Sequence, residues 1–127
     1  MAVTVDEVRA VAASLERAHE VVVRGRLKFR VGSIVFLAFA PDGETMGLGF
    51  PKDWRAAAIE SDPRKFEQPA EPDLRFNWIR VRLAALDYAE MVDLVEDAWA
   101  LCVPKFLIEK RRRASGVRAA ARRGEKA

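Results

Sequence analysis

Cationic side chains occupy every second position of one short stretch, at Arg24, Arg26, Lys28 and Arg30. Side chains of a β-strand point alternately to its two faces, so these cations would share one face. Positive charge gathered on one surface suits contacts with phosphate groups, which supply much of the affinity of proteins for nucleic acids. The stretch therefore indicates a binding face for an acidic partner.

A second alternating stretch adds an aromatic ring to the cations. Trp78, Arg80 and Arg82 would also share one face of a strand. If both faces lie on the open side of one sheet, they form a positive surface with a ring beside it for base or groove contacts. The alternatives are that these cations only keep the solvent side of the sheet polar and that Trp78 packs into the core.

A third cationic group, Lys110, Arg111, Arg112 and Arg113, lies near the end of the chain. Residues 1–108 contain 14 Lys and Arg against 17 Asp and Glu, a net charge of −3, whereas residues 109–127 carry 8 against 2, a net charge of +6. This division predicts a domain over residues 1–108 and a basic Ala/Arg-rich tail over residues 109–127. Such a tail either attracts a polyanion or only improves solubility.

Residue types needed for catalysis or metal binding are scarce. His19 is the only histidine and Cys102 the only cysteine, so the chain lacks a histidine pair or a cysteine cluster for a metal. No phosphate-binding loop or nucleophile motif is present. We therefore predict a protein that is not an enzyme and needs no cofactor or metal. The length and the lack of a leader or membrane-spanning run predict one cytoplasmic domain.

Hydrophobic periodicity and turn residues predict the elements that position these groups. The predicted order is helix, four strands, helix, strand and long helix, over residues 5–17, 19–24, 27–31, 34–40, 45–50, 52–60, 76–83 and 88–113. The last helix should kink or break near Pro104. The strand over residues 45–50 has two glycines and should bend or lie at an edge. This order predicts an α+β fold, a single two-layer domain with a mainly antiparallel sheet and helices on one face.

Short motifs also occur in a characteristic order along the chain. In the second half they are Asp62-Pro63 with Phe66, Trp78 in a strand ending Val81-Arg82-Leu83, and Ala98-Trp99 with Leu101, Pro104-Lys105 and Leu107. In the first half they are Gly25-Arg26, Phe29 with Val31-Gly32, and the strand that starts at Ile34. Together these motifs, over about residues 5–108, resemble the MmcQ/YjbR family.

The resemblance implies a CyaY-like or secretion-chaperone-like α+β fold. It also implies DNA binding, because members of the family are often described as DNA-binding through a proposed double-wing arrangement of hairpins, and it brings no catalytic residues. Two features depart from the family: residues 14–18 replace its usual Pro-Gly segment, and the basic tail lies beyond the likeness.

The sequence and the resemblance together predict a small non-enzymatic protein that binds DNA or another polyanion through the sheet face and the tail. The alternative is a protein-interaction or chaperone-like module, whose partner is another protein or a second copy of the chain. An exposed apolar patch would favour this module, and an evenly positive face would favour nucleic acid. Neither reading includes a membrane or a metal as partner.

Overall fold

The structure, a computed structural model, describes the backbone of residues 2–123 and the side chains of residues 2–114. Its helices are α1 (Val5–Ala13), α2 (Lys52–Ser61), α3 (Tyr88–Ala100) and α4 (Lys105–Arg123). Its strands are β1 (Ala18–Val23), β2 (Arg26–Val31), β3 (Ile34–Phe39), β4 (Thr45–Gly49), β5 (Phe66–Glu67) and β6 (Trp78–Arg82).

Within residues 2–123, the strands form one antiparallel sheet in the order β1-β2-β3-β4-β6-β5. Helices α1 and α3 pack against each other, and α3 also packs on β3 and β4. The predicted α+β fold, an antiparallel sheet with helices on one face, is confirmed. We call the face that α1 and α3 leave uncovered the open face.

The covered face of the sheet carries the hydrophobic core. Phe29 pairs with Leu37, Leu37 with Leu48 and Leu48 with Ile79, so one row of apolar side chains crosses four strands. All of these side chains are buried. Because alternate residues point to opposite faces, the neighbouring row must face the open side.

A bulge in β3 explains why two consecutive side chains of this strand are buried. Phe29 pairs with Leu37, whereas the next residue of β2, Arg30, pairs with Val35, so Phe36 has no partner across the ladder. The bulge lets Phe36 and Leu37 both enter the core, and the Phe29 and Phe36 ring centroids lie 6.4 Å apart.

The prediction offered an edge position for the glycine-containing strand, and that position is wrong. β4 lies between β3 and β6, and its Met46 and Leu48 side chains are buried. A Cβ atom at Gly47 would stand only 2.5 Å from Nε1 of Trp78. Glycine therefore occupies the middle of this strand because the indole ring lies against its backbone.

α1 ends at Ala13, four residues before the end of the predicted helix over residues 5–17. The Thr4–Glu7 capping box that starts the helix is confirmed. At its end, the Ser14 hydroxyl donates to a backbone carbonyl of the last turn, an interaction that competes with continued helix. Arg17 then takes a left-handed conformation, φ 70°, which redirects the chain into β1.

The C-terminal helix is broken at Pro104, as predicted, because α3 ends at Ala100 and α4 begins at Lys105. α4 continues to Arg123, beyond the predicted end at residue 113, in keeping with the high helix propensity of alanine and arginine. β5 was not predicted and pairs with β6 at the edge of the sheet. None of the helices in residues 2–123 is long and apolar enough to cross a membrane.

Candidate nucleic-acid interface

A trough lies on the open face of the sheet. Lys28 pairs with Ala38, Ala38 with Gly47 and Gly47 with Arg80, so one row crosses β2, β3, β4 and β6. Of the two central residues of this row, Ala38 adds only a methyl group, and Gly47 has the Trp78 ring against its backbone. Lys28 and Arg80 stand on either side, about 14 Å apart over three strand spacings. This depression, which we call the trough, has a volume of about 820 Å³.

One wall of the trough is cationic and comes from β2. Arg26 and Lys28 line it, and Arg30 lies further along the same face of the strand. Among residues 2–114, none of these three side chains has an ion-pair partner. They are the cations that remain available to an external anion.

Arg24 does not belong to this wall. It lies with Gly25 in the two-residue turn between β1 and β2, where their φ angles are 53° and 77°. The prediction that four cations share one strand face is therefore wrong for Arg24, because the chain reverses direction there. Three cations remain on the open face of β2: Arg26, Lys28 and Arg30.

Trp78 and Arg80 from β6 form the opposite wall. The Trp78 ring lies against Gly47 and is half-buried, so it belongs to the open face and not to the core. Beyond it, Phe76 and Leu101 continue the lining of the trough, and each is 51% exposed. The trough thus has a cationic wall and an apolar end.

The two arginines of β6 are held by the protein itself. Arg80 lies 3.4 Å from a carboxylate oxygen of Glu67 on β5. Arg82 also pairs with Glu67 and donates to the backbone carbonyls of Pro63 and Arg64. Exposed ion pairs contribute at most about 1 kcal/mol to stability. Glu67 therefore partly neutralises the charge of Arg80 but does not hold its side chain in one position. Through its additional hydrogen bonds to Pro63 and Arg64, Arg82 links β6 to the chain segment that precedes β5.

The predicted cations of the tail lie in the helical layer and not in the trough. Lys110 pairs with Glu16 at 2.9 Å, and Arg111 pairs with Glu96 at 2.6 Å while also reaching Ser14. Arg111 and Glu96 are both about four-fifths buried, so this pair docks α4 against α1 and α3. The structure does not bring the tail and the strand cations together.

Arg112 and Arg113 are the exposed members of the tail group. Neither side chain has an ion-pair partner among residues 2–114. They form a second, separate basic surface beside the helices. The remaining tail cations, after residue 114, lie outside the described side chains.

Arg55 on α2 is an important residue of this region that the sequence did not indicate. Its guanidinium donates to the carbonyl oxygens of Leu74, Phe76 and Trp78 at 2.7, 3.1 and 2.9 Å. These carbonyls belong to the segment that leads into β6. Arg55 therefore fixes the backbone that carries the aromatic wall of the trough.

The Thr45 hydroxyl is a further unusual group in the lining of the trough. Thr45 is 9% exposed, and within the described residues its hydroxyl oxygen is the one buried side-chain nitrogen or oxygen without a hydrogen-bond partner. A buried polar group without a partner costs about 1–3 kcal/mol.

Acidic side chains gather on α3. Desolvation raises the pKa of the Asp97 carboxyl, and the nearby Asp93 and Glu96 carboxylates raise it further. Within residues 2–114, no group of histidine, cysteine and carboxylate side chains is arranged to hold a metal ion. The helical side is therefore acidic, whereas the exposed face of β2 is cationic, and Asp42 and Asp73 are also among the residues that line the trough.

Asp97→Asn should stabilise the protein near neutral pH. A carboxyl whose pKa is raised in the folded state destabilises that state when ionised, and this cost vanishes when the pH falls below the pKa of the unfolded chain. We expect the melting temperature to rise by about 2 °C near neutral pH and to be unchanged below pH about 3. Thermal melts of the two proteins at both pH values measure this difference. An equal gain at both would contradict the electrostatic explanation.

The two residues with reactive side chains remain outside any catalytic arrangement in the described part of the chain. Partial burial raises the pKa of the Cys102 thiol, which donates weakly to the Ala98 carbonyl. A raised pKa keeps the thiol protonated and unreactive. His19 is exposed on β1, opposite Arg30.

Comparison with known proteins agrees with this architecture. The crystal structure of Deinococcus radiodurans protein DR2400, a DUF419 domain, is similar over 89% of this chain and 88% of that chain, with a TM-score of 0.69 and 18% sequence identity. At this identity the likeness shows the fold alone. Among curated proteins, none matches the sequence significantly. The YjbR family model matches residues 13–101, which is more than half of the chain, and the protein therefore belongs to the YjbR family.

Proposed function

We propose that this protein is a non-enzymatic nucleic-acid-binding protein whose trough contacts the phosphate backbone. The observation that carries the proposal is the set of three cations on the open face of β2, namely Arg26, Lys28 and Arg30. They have no ion-pair partner among residues 2–114 and lie across the trough from Trp78. Free cations beside an aromatic ring suit phosphate contacts with a base contact next to them.

The distribution of charge supports binding on this face. The helical side carries Asp87, Asp93 and Asp97 on or beside α3, and it would repel a polyanion. Residues 1–108 have a net negative charge, and two carboxylates, Asp42 and Asp73, line the trough together with Arg26, Lys28 and Arg80. A polyanion approaching from solution would meet less repulsion at the cationic β2 wall than at the acidic α3.

Neutralising the β2 cations should weaken binding and reduce its salt dependence. The variant Arg26→Gln/Lys28→Gln/Arg30→Gln removes up to three phosphate contacts. Each contact contributes about 0.9 to the slope of log K against log salt on duplex DNA, so the slope should become shallower by up to about 2.7. Fluorescence anisotropy with a labelled duplex, repeated over a salt series, measures both the affinity and the slope.

Two matched variants identify the surface responsible. Arg64→Gln/Lys105→Gln removes exposed cations away from the trough and should leave the slope close to that of the original protein. Arg112→Gln/Arg113→Gln tests the basic surface on α4. If only this last variant lowers the slope, the helix binds and the trough does not. If the unaltered protein shows salt-dependent binding to neither this duplex nor a single-stranded oligonucleotide, the proposed function is ruled out.

A second candidate function is self-association through β1. This strand pairs only with β2 among the described elements, and Val22 and Val23 are 69% and 43% exposed. An unpaired, apolar edge strand can pair with the same strand of a second copy. Sizing chromatography should then show a dimer that Val22→Lys converts to a monomer, whereas a monomer at all concentrations would exclude this candidate.

A further inference from the structure

We infer that the trough binds a single nucleic-acid strand, with one base placed against Trp78, in preference to a duplex. The inference rests on the proposed function and specifies its ligand. It depends on the shape of the trough, on the exposed part of the Trp78 ring, and on the position of the cations relative to both.

The width of the trough is the first argument. Its floor is made by Ala38 and by the Trp78 ring that lies against Gly47, while Lys28 and Arg80 flank it about 14 Å apart. A duplex is wider than the space left between these side chains. It would rest on the tips of the walls and leave the floor uncovered, whereas a single extended strand can lie on the floor.

The aromatic wall is the second argument. Trp78 has one side against Gly47, and it also lines the trough. Contact with Gly47 and the Arg55 bond to the Trp78 carbonyl limit the movement of the ring, so little conformational entropy is lost when a base stacks on it. Bases of a duplex are already stacked on each other and cannot reach this ring without unpairing.

The position of the cations is the third argument. Arg26 and Lys28 alternate along the wall opposite the ring, so a strand whose base faces Trp78 turns its phosphates towards β2. This pairing of a cationic track with an aromatic platform is the usual arrangement in proteins that bind single strands with little sequence preference. We therefore expect binding that tolerates any base and depends strongly on salt.

The decisive experiment compares a labelled short oligothymidylate with the oligo(dA)·oligo(dT) duplex of the same length, using the full chain. We expect the single strand to bind at least about tenfold more tightly at the same salt concentration. Trp78→Ala should weaken single-strand binding by roughly tenfold while leaving its salt slope unchanged, because stacking involves no counterion release. Lys28→Gln should instead lower the slope by about 0.7.

Control variants separate stacking from loss of structure. Trp78→Phe keeps an aromatic ring and should retain most of the affinity that Trp78→Ala loses. Trp54→Ala removes another tryptophan, 68% exposed on α2 and outside the trough, and should have no effect. Thermal melts confirm that each variant is folded.

Each contrary result has a distinct meaning. Equal or tighter binding of the duplex overturns the inference and leaves the proposed function intact. If thymidine monophosphate binds as tightly as the oligonucleotide, the trough is a small-molecule site, and this result also overturns the inference. Binding unaffected by both Trp78→Ala and Lys28→Gln would place the ligand elsewhere. If neither nucleic acid binds, the proposed function fails together with the inference.

Discussion

Arg55→Lys is expected to destabilise the protein by about 2 kcal/mol, and so to lower its melting temperature by roughly 8 °C. The Arg55 guanidinium donates to three backbone carbonyls, those of Leu74, Phe76 and Trp78. Lysine presents a single nitrogen on a flexible stem and cannot reproduce this planar set of donors. Hydrogen bonds to a charged group contribute about 1.5–3 kcal/mol when buried, and partial exposure reduces the total here.

A matched substitution tests whether the destabilisation by Arg55→Lys comes from the geometry of the guanidinium and not from its charge. Arg64→Lys makes the same chemical change at an exposed arginine whose side chain makes no hydrogen bond or ion pair within residues 2–114. Its melting temperature should stay within about 2 °C of the original. Equal effects of the two variants would contradict the proposed role of Arg55.

The effect of losing the Arg55 hydrogen bonds should also be confined to the part of the chain around them. Amide hydrogen exchange should accelerate in the segment from Leu74 to Trp78, while the amides of β2 and β3 keep their protection, because opening of this segment does not require the central sheet to unfold. Uniform acceleration over the whole chain would mean instead that Arg55 supports only global stability. The same loosening should weaken binding at Trp78, if the trough binds a nucleic-acid strand.

The fold was predictable because local patterns and the core agree. The Thr4–Glu7 and Asp87–Glu90 capping boxes mark the starts of α1 and α3 as expected. The alternation in β2 correctly placed Phe29 in the core and Lys28 on the other face. Each of these signals lies within a few residues of sequence, where spacing alone determines the geometry.

The errors arose where distant residues decide the structure. Gly47 indicated a weak strand, yet its role depends on Trp78, which is far along the chain and one strand away. Arg24 fits the pattern of alternate cations in the sequence. In the structure, however, it lies with Gly25 in the turn that precedes β2 and so is not part of that strand. The helix end at Ala13 likewise depends on the turn that follows, which Trp99 holds by donating to the Glu16 carbonyl.

The candidate site could be predicted in part. Sequence alternation identified Arg26, Lys28 and Trp78, because residues two apart on a strand share a face. It could not place β3 and β4 between β2 and β6, since strand order depends on tertiary packing. Nor could it distinguish Lys28, which is free of ion pairs within residues 2–114, from Arg82, which Glu67 binds.

Gly47→Ala is the second substitution for which we expect a large effect, a loss of about 2 kcal/mol. The new Cβ atom would stand 2.5 Å from Nε1 and 2.6 Å from Cε2 and Cζ2 of Trp78. These distances are too short for any contact, so the indole must move away from its place against β4. The strand itself cannot shift easily, because β3 and β6 pair with it on both sides.

Gly49→Ala provides the control for Gly47→Ala. A Cβ atom at Gly49 would lie 3.5 Å from its nearest neighbours, the Ala98 carbonyl oxygen and a methyl group of Leu101, which is an ordinary contact. Alanine there should be tolerated within about 0.5 kcal/mol. Urea denaturation of both variants measures the difference in the free energy of unfolding.

A double-mutant cycle with Trp78→Ala identifies the clash as the cause. In the Trp78→Ala protein, Gly47→Ala meets no ring and should cost little, or stabilise the strand slightly, because alanine loses less backbone entropy than glycine. The coupling energy between the two sites should therefore be about 2 kcal/mol. If Gly47→Ala costs as much without the Trp78 ring as with it, the backbone and not the indole requires glycine. In that case Trp78 would be free to move, and the trough would lack the fixed platform on which single-strand binding depends.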